Sequence, residues 1–118
     1  MKTFVEKLRK CFSIETCHHS YRHKWSPKNS SVGHCAIVSL LFYEMFGYSV
    51  YKVKVGNFTH YFNIDSDNEI IDITADQFGK SIIYESKTKC NPKQMLKVKD
   101  TKERLELLKE KLLLEDTK

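Results

Sequence analysis

Cys35, His60 and Asp72 are residue types that together perform nucleophilic acyl chemistry, and they follow one another along the chain in that order. Cys35 comes after Gly33-His34 and opens an apolar run over 34–46 that Gly47 closes. The run predicts a helix enclosed by protein, because it offers no polar stripe to water, and Gly47 suits a left-handed C-cap. A thiol at the start of such a helix meets the positive end of its dipole and backbone N–H groups without intrahelical partners. Both favour the thiolate, which is the nucleophile, and the same N–H groups suit a developing oxyanion. The competing reading is a small buried hydrophobe, since free cysteine is among the most buried residue types.

His60 falls in the middle of an expected strand, beside Tyr61 and Phe62. A general base must reach the nucleophile, and a strand facing the start of the helix supplies one. Asp72, between Ile71 and Ile73, can orient that imidazole if both side chains share a face. Register decides this, because directly paired residues share a face. A three-residue loop pairs Asp65 with Glu69, Phe62 with Asp72 and His60 with Thr74, whereas an even loop turns Asp72 away. The alternatives are a structural histidine and an acid on the solvent face of an edge strand. Trp25, in the loop before the cysteine, either walls the cleft or simply packs. Asn63 either orders neighbouring backbone or polarises His60.

The elements that must position these residues are legible in outline. Phe4, Val5, Leu8, Cys11 and Phe12 recur at helical spacing, predicting an amphipathic helix over 2–12. Ser13 resembles the N-cap of a second short helix through 17–21, and 24–33 reads as loop. Alternation predicts a strand over 51–55, the Gly56-Asn57 turn, a returning strand over 58–64, a turn over 65–68 and a third strand over 69–74. Residues 81–84 fit either a short strand or a loop. Asn91-Pro92 opens a turn of helix, and 101–114 form an amphipathic helix with Leu105, Leu108 and Leu112 on one face. A helix followed by a meander indicates an α+β fold, with the antiparallel sheet packed on the buried central helix and helices at both ends.

Composition narrows the function classes. The 118 residues suit one domain over 1–118, and 41% hydrophobic with 30% charged residues is ordinary for a globular protein. No stretch approaches the ~20 apolar residues of a membrane helix. Residues 1–12 lack the apolar core of a signal peptide. Cysteines at 11, 17, 35 and 90 show no paired framework, so free thiols and a cytoplasmic location are expected. The net charge of +5 is spread along the chain and alternates with glutamates towards the C-terminus, which argues against a nucleic-acid partner. A rival reading is zinc held by Cys17, His18, His23 and His34, with His19 and Cys35 nearby. It lacks a Cys-x-x-Cys knuckle, and it would consume Cys35 as a ligand.

The order of Cys, His and Asp on helix start, strand and adjacent strand is that of the transglutaminase-like and NlpC/P60-like branches of the papain-like fold. The chain also resembles the YunG-like family of small bacterial proteins. The resemblance runs from Ser13-Ile14-Glu15-Thr16-Cys17 and Trp25 to Gly33-His34-Cys35-Ala36-Ile37-Val38-Ser39-Leu40-Leu41 with Phe46-Gly47. It resumes at Thr59-His60-Tyr61-Phe62-Asn63 and Ile71-Asp72-Ile73-Thr74-Ala75-Asp76-Gln77-Phe78, and closes with Asn91-Pro92 and Arg104-Leu105-Glu106-Leu107-Leu108. It implies a papain-like core with Cys35 as nucleophile, His60 as base and Asp72 as orienting acid. One departure stands beside the nucleophile, where the family usually has Gln and this chain has His34. If that glutamine side chain binds substrate or oxyanion, an imidazole replaces it only in part; if the position contributes only its backbone N–H, the change is harmless. Trp25, His34 and Asn63 are the candidate substrate-contacting residues. The expected activity is that of a cysteine hydrolase or acyltransferase on an amide or thioester (amidase, peptidase, deamidase or transglutaminase-like), with no cofactor and no membrane partner. The alternative is a non-catalytic binding module on the same frame.

Overall fold

The computed structural model describes residues 2–116. Helix α1 (Lys2–Lys10) sends Leu8 into the core, where Cys11 and Phe12 follow just beyond its end. Ser13 does not start a second α-helix. Its hydroxyl accepts from Thr16 N while Thr16 Oγ1 accepts from Ser13 N, a reciprocal arrangement that closes a single turn. A 3-10 segment over His19–Lys24 comes next, capped by the His18 ring, which accepts from Ser20 N.

Helix α2 (Cys35–Phe46) matches the predicted central helix. His34 is its N-cap, and Gly47 ends it at φ 74°. Ile37, Val38, Leu40, Leu41 and Phe42 are all buried. They pack against Leu8 of α1 and against Leu105, Leu108 and Leu112 of the long C-terminal helix. Burying such side chains is worth about 1.5–3 kcal/mol each, so this cluster carries much of the fold's stability.

Strands β1 (Ser49–Val55) and β2 (Phe58–Ile64) form the expected hairpin, with Val55 opposite Phe58 across Gly56-Asn57. Strand β3 is much shorter than the predicted 69–74 and covers only Ile70–Ile71. Beyond it the Ile73 carbonyl accepts from the Arg9 guanidinium instead of a strand partner. The chain therefore leaves the sheet and enters a 3-10 turn over Ala75–Phe78. Residues 81–84 are loop, and an additional short strand, β4 (Thr88–Lys89), pairs with β1 to give the order β3-β2-β1-β4. Asn91 caps helix α3 (Pro92–Met95) through Lys93 N, and helix α4 (Lys99–Asp116) follows. No helix among the described residues is long and apolar enough to cross a membrane.

Two buried polar side chains lock these layers. Arg104 of α4 donates to the carbonyls of Thr16 and Gly33 and pairs with Asp100, so α4 clasps the loop that leads into α2. Asn63 of β2 donates through Nδ2 to Ser39 O of α2 at 2.9 Å and to Ser49 O at 3.3 Å. It orders backbone and does not approach His60 in any hydrogen bond, which settles the choice left open by the sequence. Asn63→Ala should cost about 1–3 kcal/mol, because two buried carbonyls lose their donor. Urea unfolding of the variant checks this, and a midpoint equal to that of the parent would remove Asn63 from the account of how α2 is held.

Candidate active site

Cys35 owes its position to the turn before it. Gly33 has φ 74°, and a Cβ there would stand 2.4 Å from Cys17 Sγ and 2.9 Å from His18 N. Only glycine fits, on both counts. Its carbonyl accepts from His18 N and from Arg104, which fixes the approach to α2. Cys35 then becomes the first residue of α2 and is 6% exposed. The crevice it shares with Tyr61, Phe62, Asn63 and Asp72 leaves no room for a water molecule.

The loop between β2 and β3 has the odd length. Ile64 pairs with Ile70 and Asn63 with Ile71, and Asp65 N donates to Glu69 O. Phe62 therefore stands opposite Asp72, and His60 and Asp72 share a face. His60 Nε2 donates to Asp72 Oδ2 at 2.7 Å, with the imidazole fully buried and the carboxylate 5% exposed. The same carboxylate oxygen accepts from Tyr84 Oη at 2.7 Å, and Thr74 Oγ1 approaches Oδ1 at 3.5 Å. Phe78 meets the imidazole edge-on at 4.9 Å.

Three of the sequence-predicted residues thus come together. Burial works against a charged His60, but the hydrogen bond to Asp72, the nearby Cys35 thiol and the charges of both push its pKa up to about 9. The Cys35 contact is looser than a formed bond, because buried Nδ1 has no partner in hydrogen-bonding geometry among the described residues. Nε2–H is held by Asp72, so Nδ1 is the nitrogen left to exchange a proton with the thiol. Catalytic pairs without substrate often have such slack.

The other candidate contacts lie elsewhere. His34 is turned into the core with both ring nitrogens occupied: Nδ1 donates to Val32 O at 2.9 Å, and Nε2 accepts from Thr16 Oγ1 at 2.6 Å. Its ring stacks on Phe12 at 4.4 Å. Burial, together with the Arg104 charge and against the Val32 bond, lowers its pKa to about 4. His34 contributes to the helix start through its backbone, and its side chain is fully buried. Trp25 spends its Nε1–H on Ser30 O within its own loop, a packing role. Asn63 is fully engaged, as described above.

The zinc set predicted from Cys17, His18, His23 and His34 is not assembled. The Cys17 thiol donates to His18 O, and the His34 nitrogens are both used. Among the described residues, the potential ligand atoms that do lie within 4.8 Å of one another belong to His18, His19 and Asp100, and Asp100 is already bonded to Arg104 at 2.8 Å.

Sequence reasoning missed Tyr84 and Phe78. Phe78 ends the 3-10 turn over Ala75–Phe78 and Tyr84 lies in the loop beyond it, where no helix or strand is formed. Ile82 and Tyr84 do alternate with exposed Ser81 and Ile83, and they cover the Val53–Phe62–Ile64 cluster on the sheet. That alternation was the available signal.

The family model described as YunG protein matches residues 1–115. The chain belongs to the YunG family. Over 62 residues this YunG-family chain is 29% identical to "Uncharacterized protein YunG" of Bacillus subtilis (strain 168). The aligned part is 52% of the chain and 53% of that protein, so the chain spans about half the length of the curated relative it matches. No solved structure matches the YunG-family chain.

Proposed function

We propose that this YunG-family protein is a cysteine-dependent acyl-transfer enzyme on a papain-like core, with Cys35 as nucleophile, His60 as its proton partner and Asp72 as the orienting acid. The observation that carries the reading is the buried His60–Asp72 bond at 2.7 Å beside a helix-start cysteine, which leaves Nδ1 unpartnered. A paired, buried imidazole that binds its proton this tightly is suited to hold a thiolate–imidazolium pair.

In the proposed cycle, Cys35 Sγ attacks the carbonyl carbon of an amide or thioester, and the C–O π bond opens to an oxyanion. Backbone N–H groups at the start of α2 are the donors available to that oxygen. Imidazolium Nδ1–H passes its proton to the departing amine or thiol as the C–N or C–S bond breaks, which leaves an S-acyl Cys35. Neutral His60 then takes a proton from water or an acceptor amine, which attacks the thioester and restores the thiolate. Asp72 keeps Nε2–H bonded throughout, and Tyr84 and Thr74 hold the carboxylate in place.

A non-catalytic binding module is the second reading, and the closed crevice at Cys35 is what favours it. Acyl capture separates the two. Incubation with p-nitrophenyl acetate should give a burst of nitrophenolate and an acetyl group on Cys35 by peptide mass spectrometry. Both should be lost in Cys35→Ser and reduced about 10²-fold in His60→Ala. Acetylation spread over lysines, with no burst and no Cys35 adduct, sinks the enzyme reading and leaves the binding module.

A further inference from the structure

A cavity of about 290 Å³ opens beside the candidate triad, lined by Tyr21, Val32, Phe58 and Phe78, with Lys24 and Lys80 also on its wall. Each of the three segments that carry Cys35, His60 and Asp72 contributes to it. Val32 stands three residues before Cys35, Phe58 two before His60, and Phe78 six after Asp72. The cavity lies on the His60 side of the hairpin. Val55 pairs with Phe58 and Val53 with His60, and positions two apart on a strand point the same way. Phe78 is the shared wall, touching Phe58 at 5.3 Å on one side and the His60 ring at 4.9 Å on the other.

One side of the lining is aromatic and apolar, while Asn29 and Gln77 add neutral polar groups, the latter with its Nε2 already donating to Thr74 O. Tyr21 packs on Phe58 at 5.0 Å, and Phe58 on Phe78. The charge on the wall has one sign. No carboxylate lines the cavity, and neither Lys24 nor Lys80 is ion-paired among the described residues. Asp76, the nearest acid in sequence, is spent on Arg9 at 3.2 Å. A volume of this size lies at the low end of ligand cavities, about 300–1,000 Å³. It takes one side chain or a short acyl segment rather than a large ligand.

Resting on the acyl-transfer reading, we infer that this cavity is the substrate-binding subsite of the Cys35 centre and takes a small group that couples an apolar side chain to a carboxylate. The apolar part lies against Phe58 and Phe78, and the carboxylate faces Lys24 and Lys80. The substrate class is therefore an N-acyl apolar amino acid or the C-terminal residue of a peptide. A neutral acyl compound of the same shape lacks the partner for the two lysines.

The test needs no turnover, so it fails or succeeds independently of the acyl-capture experiment. Labelled native protein is titrated with N-acetyl-phenylalanine and, separately, with N-acetyl-phenylalanine amide, and backbone amide shifts are followed by NMR. The expected result is shifts centred on Phe58, Phe78 and Lys80, with the carboxylate bound about 10-fold more tightly than the amide, a gap of about 1.4 kcal/mol. The exposed double substitution Lys24→Gln/Lys80→Gln should erase that gap and leave amide binding unchanged. Equal affinity for the two probes, or no shifts at these residues, overturns the assignment even if Cys35 is acylated in the other experiment.

Discussion

Iodoacetamide should alkylate Cys35 ahead of Cys90, although Cys90 is half-buried and Cys11, Cys17 and Cys35 are buried. Accessibility alone ranks Cys90 first, so the reverse order isolates activation from exposure. Burial pushes the Cys17 thiol up despite the opposing charges of Arg104 and Arg22, and pushes Cys90 up against the charge of Lys52. Cys11 is tied through Sγ to Lys7 O. Cys35 faces an imidazole that holds its proton up to about 9. His60→Ala should slow Cys35 labelling by about 10²-fold near neutral pH and leave Cys90 unchanged. Asp72→Asn keeps the shape but removes the charge that holds the proton on His60, so its largest effect should fall between pH 6.5 and 9. In that window native His60 stays charged and a histidine with the ordinary value of ~6.5 does not. Peptide mapping of labelled protein across pH 5–9 reads all three. If Cys90 labels first, or Cys35 keeps its rate without His60, the triad reading is lost.

Much of this arrangement was legible from local signals. The unbroken apolar run to Phe46 with Gly47 after it defines α2, and Gly56-Asn57 between alternating residues defines the hairpin. Register was not legible from the turn residues alone, because a two-fold side-chain period makes a one-residue slip invert a face. Asp65 decides it in the fold. Its Oδ1 accepts from Asp67 N and Glu69 N at 2.9 Å each, and Asn68 takes φ 64°, which gives the loop its odd length. The early end of β3 depends on Arg9, 64 residues before the Ile73 carbonyl it holds. Tyr84 lies 12 residues after the carboxylate it bonds. Contacts of that separation leave no trace in local periodicity, and they account for the third strand being read too long. The choice left open at His34 has the same origin, since Phe12 and Thr16, which enclose its ring, stand 22 and 18 residues earlier.

His34 makes the protein acid-sensitive in a way that one substitution should remove. Its folded pKa of about 4 lies below the ~6.5 of an unfolded histidine. Between those values the unfolded chain binds a proton that the native site refuses, so stability falls as pH falls from 6.5 towards 4. The full difference corresponds to about 3 kcal/mol. The main cause is burial, helped by the Arg104 charge and opposed by the bond to Val32 O. A proton on Nε2 would also turn an acceptor into a donor against Thr16 Oγ1, which must then give its own hydrogen to Ser13 O. His60 acts with the opposite sign, since its raised value stabilises the fold below pH 6.5 and that contribution fades as pH rises through about 9. His34→Gln keeps a neutral side chain that can both donate and accept and that does not titrate, so the variant should lose less stability between pH 6.5 and 4.5 than the parent does. Urea midpoints at the two pH values measure it. If parent and variant lose the same stability, His34 is not the buried titrating group described here. His34→Ala at pH 7 should cost about 2–4 kcal/mol, because it empties a fully buried site against Phe12 and leaves Val32 O without its donor.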